Sequence, residues 1–501
     1  MNYLLNLPLL ILLPIIASII IFSGIFKDNY IYTRRFSTAF SIIYFFYSLL
    51  FYVSYKGIIP TEESILQGFN PEFISSFSIL ENSFLSNLGI NFSFGVDSLS
   101  VIMIILTTLA FGIVIYSSKL FIHKDQKMFY GLVFILQSIL IGIFSSLDMF
   151  VFFALWELEL IPMYLLISLW GNKYAKKSAL KFVLYTFGGS LFILLGILLL
   201  YFINHSFYGV YSADITQLNF SNMSSLLQII ISICFVIGFG VKIPIIPLHR
   251  WLADTHTNSC TPVSMILASV LLKLGVYGLI RFNLELLPLG FAIICPIIGI
   301  FAVVNIIYGG AIAYFQKDIK RIVAYSSISQ MGIILLGLYS MTKIGYLGSV
   351  FHCVSHGVVA LGLFFIVGII KQKFNTNNIT RLSGLACVNP RLFGLATLIS
   401  FGAIGVPLTS GFIGEFLSIY GSLNSASIIY KLHAIIGVSV LLISALYILK
   451  IIHEVFYGGI KQNLDSMQDI ASHEFLTLCT ISFIIILLGC FPSIIINFIC
   501  P

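Results

Sequence analysis

Charge is what this sequence holds least of: 9% of its 501 residues are Asp, Glu, Lys or Arg, against about 25% in an ordinary soluble domain. With 59% of the residues hydrophobic, a water-soluble core cannot absorb the apolar surface. Apolar runs of about 18 residues or more recur from end to end, the mark of membrane-spanning helices. Strands of a membrane barrel would alternate polar and apolar residues, and these runs do not. The eight cysteines form no CxxC pair and no spacing suited to zinc or an iron–sulfur cluster, so they read as small apolar helix residues. A Rossmann glycine fingerprint is missing too. The first segment, MNYLLNLPLLILLPIIASIIIFSGIF, lacks a basic n-region and a small-residue cleavage site, and is expected to be the first helix, not a removable signal.

What is present divides into about 14 expected spans, each near the ~20 residues a bilayer requires. Their limits are 3–25, 34–55, 92–117, 129–147, 149–170, 179–204, 225–248, 261–282, 291–314, 321–341, 346–370, 391–420, 430–457 and 474–498. The net charge of +7 comes from basic residues scattered over short loops, a topology signal and not a nucleic-acid patch. Of the 26 lysines and arginines, alternate loops on one side take 19, Lys320 and Arg321 among them. The other side takes Lys56, Arg281, Lys343 and Lys431, and three lysines fall inside apolar segments. This asymmetry implies an even number of spans, with both termini and the acidic connection 56–91 away from the cytoplasm or matrix.

Two spans carry similar interruptions, FGVKIPIIPLHRW around 239–251 and FGAIGVPLTSGFIGEF around 401–416. Proline removes a backbone donor and glycine loosens a helix, so both are expected to break near mid-membrane, where protein or a water-filled cavity must satisfy the freed groups. Paired broken helices in two halves point to an inverted-repeat transporter.

An ionised side chain at a helix centre costs about 2.5–3.5 kcal/mol on insertion scales. Each therefore calls for a partner, a cavity or a task. Glu157 lies well inside LWELELIPMYLLISLW, and Lys242 directly precedes the break at Pro244; facing each other, they would neutralise both charges at mid-depth. Glu159 stands about 200° away from Glu157 around an ideal helix and is expected to have another partner or to lie nearer the outer surface. A contact that forms and breaks would switch Lys242 between holding and releasing a proton. His352 and His356 share a helical face, but no carboxylate or thiolate follows at ligand spacing, so proton relay or packing is expected before metal. PLHRWLADTHTNSCTP supplies His249 and His256, which either carry protons from the inner surface or belong to an ordinary polar loop.

Seven segments together resemble the subunit M, or chain 4, family of the proton-translocating NADH:quinone oxidoreductase, respiratory complex I. They are GVDSLS (96–101), WELELIPMYLLISLWG (156–171), GFGVKIPIIPLHRWLADTH (238–256), ILASVLLKLGVYGLIRF (266–282), DIKRIVAYSSISQMG (318–332), VSHGVVALGLFF (354–365) and GVPLTSGFIGEF (405–416). The resemblance implies an all-α membrane fold of about 14 transmembrane helices with two inverted five-helix repeats and broken helices 7 and 12. N-terminal helices 1–3 with the outer loop would occupy 1–128, the repeats 129–285 and 286–457, and the last helix 458–501. It further implies a proton relay of Glu157, Lys242, Lys273, His356 and Glu415; His249, His256, Gln330 and His352 are candidates for further relay or proton entry. Where the family carries histidine in AYSS-x-x-HMG, this chain has Gln330. A glutamine can orient a water but cannot take up a proton near neutral pH. Asn258, Ser259 and Cys260 also depart from the family's usual loop.

Such a subunit couples electron transfer elsewhere in a translocase to proton pumping. NADH, FMN, iron–sulfur clusters and quinone would belong to partner subunits, and this chain would hold no cofactor or metal. The implied partners are other membrane subunits, especially neighbouring antiporter-like ones, and the lipid bilayer, with no nucleic acid. A cation/proton antiporter subunit of the same superfamily is the first alternative, and WELELIPMYLLISLWG separates it from the favoured family. A proton-inactive scaffold is the second, and would tolerate neutral replacement of Lys273 and Glu415. A bacterial plasma membrane is favoured over a mitochondrial inner or thylakoid membrane, and the electron donor, NADH or ferredoxin, stays open.

Overall fold

A computed structural model describes residues 6–26, 29–54, 72–77, 88–218, 220, 223–459 and 468–499 of the chain. Its described residues are overwhelmingly α-helical, and twelve helices are long and apolar enough to cross a membrane. This is the architecture of an integral, multi-pass membrane protein. Twelve differs from the fourteen expected, and the reason lies in two places. The first expected span is the 16-residue helix Leu7–Phe22, short of bilayer length. The expected span 391–420 is two helices, Pro390–Ile404 and Ser410–Leu423. The outer connection 56–91 lies largely outside the described residues; within it, strand Glu72–Phe77 pairs antiparallel with Phe92–Val96.

The chain divides into two compact units, one of residues 1–243, 273–294 and 498–501, the other of 244–272 and 295–497. In the first, Gln126–Ser145 is a largely enclosed helix, packed against Leu7–Phe22 and Ser98–Ser117. Aspartates begin two of this unit's helices: Asp97 accepts from Ser100 N (2.8 Å), and Asp148 from Phe150 N (2.8 Å) and Val151 N (3.0 Å). A carboxylate there satisfies N–H groups that the first helical turn leaves unpaired.

The second unit is built around Lys343–Phe374, a 32-residue helix buried over its whole apolar stretch. It is apolar on every side, as a helix surrounded by others must be. Ser410–Leu423 approaches it so closely at Gly348 that any Cβ there would strike the backbone of Leu417 and Ser418. Small residues at such crossings replace the hydrophobic drive that a bilayer does not supply between helices.

Both expected breaks are present. Helix Ser225–Lys242 stops at Lys242, and helix resumes at Arg250–Asn258. The fully buried Asn305 side chain donates to Pro244 O (3.3 Å) and accepts from Ile246 N (2.9 Å), supplying the bonds that the broken backbone has lost. At the other break Pro390–Ile404 ends on Gly405 in the left-handed conformation (φ +78°), with Gly405 N and Val406 N both donating to Phe401 O (3.1 Å each). Here Gln330 Nε2 reaches Ala403 O (3.3 Å). Each break thus leans on one buried amide side chain from another helix.

Candidate functional site

In the first unit the chemistry gathers at the end of helix Ser225–Lys242. Lys242 is 1% exposed, and its Nζ donates to Glu159 Oε1, whose residue is fully buried. The ammonium also lies over the rings of Trp156 (5.1 Å to the centroid) and Phe182 (5.4 Å), so aromatic faces and one carboxylate replace its water. The carboxylate in contact is not the one expected. Glu157 is half-buried, with Ser190 beside it and one oxygen without a hydrogen bond among the described residues. The run 149–170 stays helical through Glu159 (φ −62°, ψ −25°), with Glu159 N donating to Leu155 O (3.1 Å) and Met163 N to Glu159 O (3.2 Å); the two glutamates keep separate faces, as an ideal helix requires, and the face that meets the lysine is that of Glu159. Lys273, fully buried, lies between two π-helical segments, Leu267–Leu271 and Leu279–Glu285, irregularities that concentrate at functional positions.

In the second unit three side chains form a continuous line. His352 Nε2 bonds Gln330 Oε1 (2.8 Å), and Gln330 Nε2 donates to Glu415 Oε1 (3.0 Å). Glu415 is 1% exposed, its carboxylate lies against the Cα of Gly405, where a Cβ would strike Oε2, and His352 lies against Gly414. Glu415 Oε2 has no hydrogen-bond partner among the described residues. A small cavity beside this line is edged by Gln330, His352, His356, Ser326, Ser327 and Tyr447. Val323, Val359, Ala360 and Leu363 line it as well, so a water there would find its partners among the polar groups. His356 stands 6.5 Å from His352, ring to ring. Among the described residues no cluster of His, Cys, Asp or Glu is arranged to hold a metal ion.

His249 precedes helix Arg250–Asn258 and His256 lies in its last turn. His249 faces the Tyr308 ring at 5.4 Å, and His256, fully buried, stacks on Phe364 at 4.5 Å. Helix Ile319–Tyr339 anchors this stretch twice: Arg321 Nη2 bonds Asp254 Oδ1 (2.9 Å), and Lys320 Nζ donates to Ser259 O (2.7 Å). Lys320, expected in an inner loop, is therefore buried. Tertiary contact, not sequence position, takes its ammonium from water.

Arg281 is a second correction. It is not a loop cation but a buried one, bonded to Asp97, to Ser100 Oγ (3.2 Å) and to both oxygens of Glu285 (3.0 and 3.1 Å). The four-residue spacing of Arg281 and Glu285 was a readable signal; the approach of Asp97, 184 positions away, was not. Asn305 was readable as well, a lone amide in the apolar run IFAVVNIIYGG.

Known proteins resemble the chain in sequence and in fold. Residues 146–441 match the family described as NADH:quinone oxidoreductase/Mrp antiporter, TM, and residues 62–143 match NADH-ubiquinone oxidoreductase chain 4, amino terminus. The chain is 39% identical over 431 residues to an NAD(P)H-quinone oxidoreductase chain 4 of Picosynechococcus sp., covering 84% of this chain and 79% of that one. It is 36% identical over 416 residues to the NADH-quinone oxidoreductase subunit M of Rickettsia conorii, covering 83% of each. Its fold is similar to that of a chain in respiratory complex I from Thermus thermophilus with bound NADH (TM-score 0.84, 24% identity, 99% and 98% covered). It is also similar to a chain of the Mrp complex from Dietzia sp. (TM-score 0.81, 18% identity, 99% and 52% covered).

Proposed function

Because this chain belongs to the NADH:quinone oxidoreductase/Mrp antiporter transmembrane family, we propose that it is the chain 4-type, proton-translocating membrane subunit of an NAD(P)H:quinone oxidoreductase. The observation that carries the reading is the Lys242–Glu159 ion pair, buried and placed at the last residue before a helix break. A buried ion pair is a poor way to gain stability, since desolvation offsets its attraction. A task explains its presence better. Opening the contact changes how firmly the amine holds its proton. A three-unit change corresponds to about 4 kcal/mol, more than the ~2.3 kcal/mol needed to move one charge against 100 mV.

The proposed relay contains Glu157, Lys242, Lys273, His356 and Glu415, with Glu159 added as the direct partner of Lys242. His249 and His256 serve proton uptake, and His352 and Gln330 flank Glu415. Two inverted repeats, 129–285 and 286–457, would each hold part of it. Electron transfer from NADH or ferredoxin, through FMN and iron–sulfur clusters to quinone, takes place in partner subunits, among which neighbouring antiporter-like chains abut this one. A bacterial plasma membrane is the proposed setting.

The test is Lys242→Ala in the assembled complex within sealed vesicles, reading proton uptake against quinone reduction. The ratio is expected to fall several-fold. Pumping that remains intact with Lys242 absent would overturn the reading.

A further inference from the structure

The relay proposed above leaves Gln330 without a part, since a carboxamide neither gains nor loses a proton near neutral pH. Its surroundings nevertheless fix its orientation. Ala403 O can only accept, so the amide nitrogen must face Ala403 and, beside it, Glu415 Oε1. The amide oxygen is then left facing His352 Nε2 at 2.8 Å. An oxygen acceptor at that distance requires a hydrogen on Nε2. We infer that Gln330 is a positioning residue that holds the His352–Glu415 line in one polarity, donating to the carboxylate and accepting from the imidazole, while carrying no proton itself.

Two consequences follow for proton movement, on the reading that Glu415 belongs to a relay. His352 keeps its Nε2 proton whether its ring is neutral or charged, so it exchanges protons at Nδ1. Glu415 keeps Oε1 occupied by the amide donor, so it exchanges at Oε2, the oxygen without a partner among the described residues. A proton passing between the two residues cannot hop through the amide. It goes around: the cavity that Gln330, His352, His356, Ser326, Ser327 and Tyr447 help to line gives His352 room for a water, Glu415 does not itself line that cavity, and the amide is left unchanged by the transfer.

The experiment uses the whole complex in sealed vesicles, reading protons pumped per quinone reduced from pH 6 to 8 for three variants. Gln330→Met keeps the length of the side chain but removes both donor and acceptor, and is expected to lower the ratio at least threefold. Gln330→Leu does the same should the methionine variant fail to assemble. Gln330→His, whose neutral ring carries a donor on one nitrogen and an acceptor on the other, is expected to retain at least half of the ratio and to gain a pH dependence in the imidazole range, near pH 6.5. If the apolar variants pump normally, or the histidine variant fails as badly as they do, Gln330 only fills space and the inference falls. Glu415→Gln separates the two levels. Unchanged pumping with that variant defeats the relay reading itself, whereas lost pumping together with a normal Gln330→Met defeats only the role of Gln330.

Discussion

Lys242 and Glu415 are equally buried, at 1% exposure each, yet one touches an opposite charge and the other an amide. The first unit compensates its lysine with Glu159 and two aromatic faces. In the second unit, the Glu415 carboxylate accepts a hydrogen bond from the neutral Gln330. The difference bears on what each centre tolerates. A buried ion pair is a unit, so removing one member leaves the other exposed to the full cost of desolvation. A carboxylate held by a neutral donor can become a neutral amide without stranding any charge.

The largest expected effect is therefore in the first unit. Glu159→Gln should destabilise the assembled protein by about 3–5 kcal/mol, seen as a lowered thermal transition or poor assembly. Adding Lys242→Met should restore stability without restoring pumping. Glu415→Gln should change stability by no more than about 1 kcal/mol while proton pumping falls; destabilisation as severe as that of Glu159→Gln would mean that a cation faces Glu415 after all. Glu157→Gln should have a smaller effect on stability than Glu159→Gln, and the reverse order would return the pairing to Glu157. Least affected should be Arg321→Ala. Its bond to Asp254 joins two side chains that are 39% and 35% exposed, and such pairs contribute about 0–1 kcal/mol.

The two glutamates show where reading the sequence stopped. WELELIP announces a carboxylate inside the membrane, but helix 149–170 is apolar around most of its circumference and has no clear polar face to set its rotation. An ideal helix then favours neither glutamate, and the way the helix is rotated against Ser225–Lys242 decides. Gln330 shows the same limit from the other side. As a residue type it marked a gap in a line of titratable groups, and only the approach of three other helices turns it into a bridge between His352, Ala403 and Glu415. Lys320 and Arg281 were misplaced because charge near the end of an apolar run reads as loop. Their burial depends on Ser259, Asp97 and Glu285 arriving from elsewhere, and Glu285 alone is near in sequence.

By itself the sequence determined the solvent, the helical class, the position of both breaks and the family, because these follow from composition, run length, proline and glycine placement, and contiguous motifs. Tertiary structure alone decided which carboxylate meets Lys242, what satisfies each break, and which way round Gln330 is held. Those are questions of direction and distance between residues 59 to 85 positions apart, and hydrophobic periodicity carries no information about them when every face of a helix is apolar.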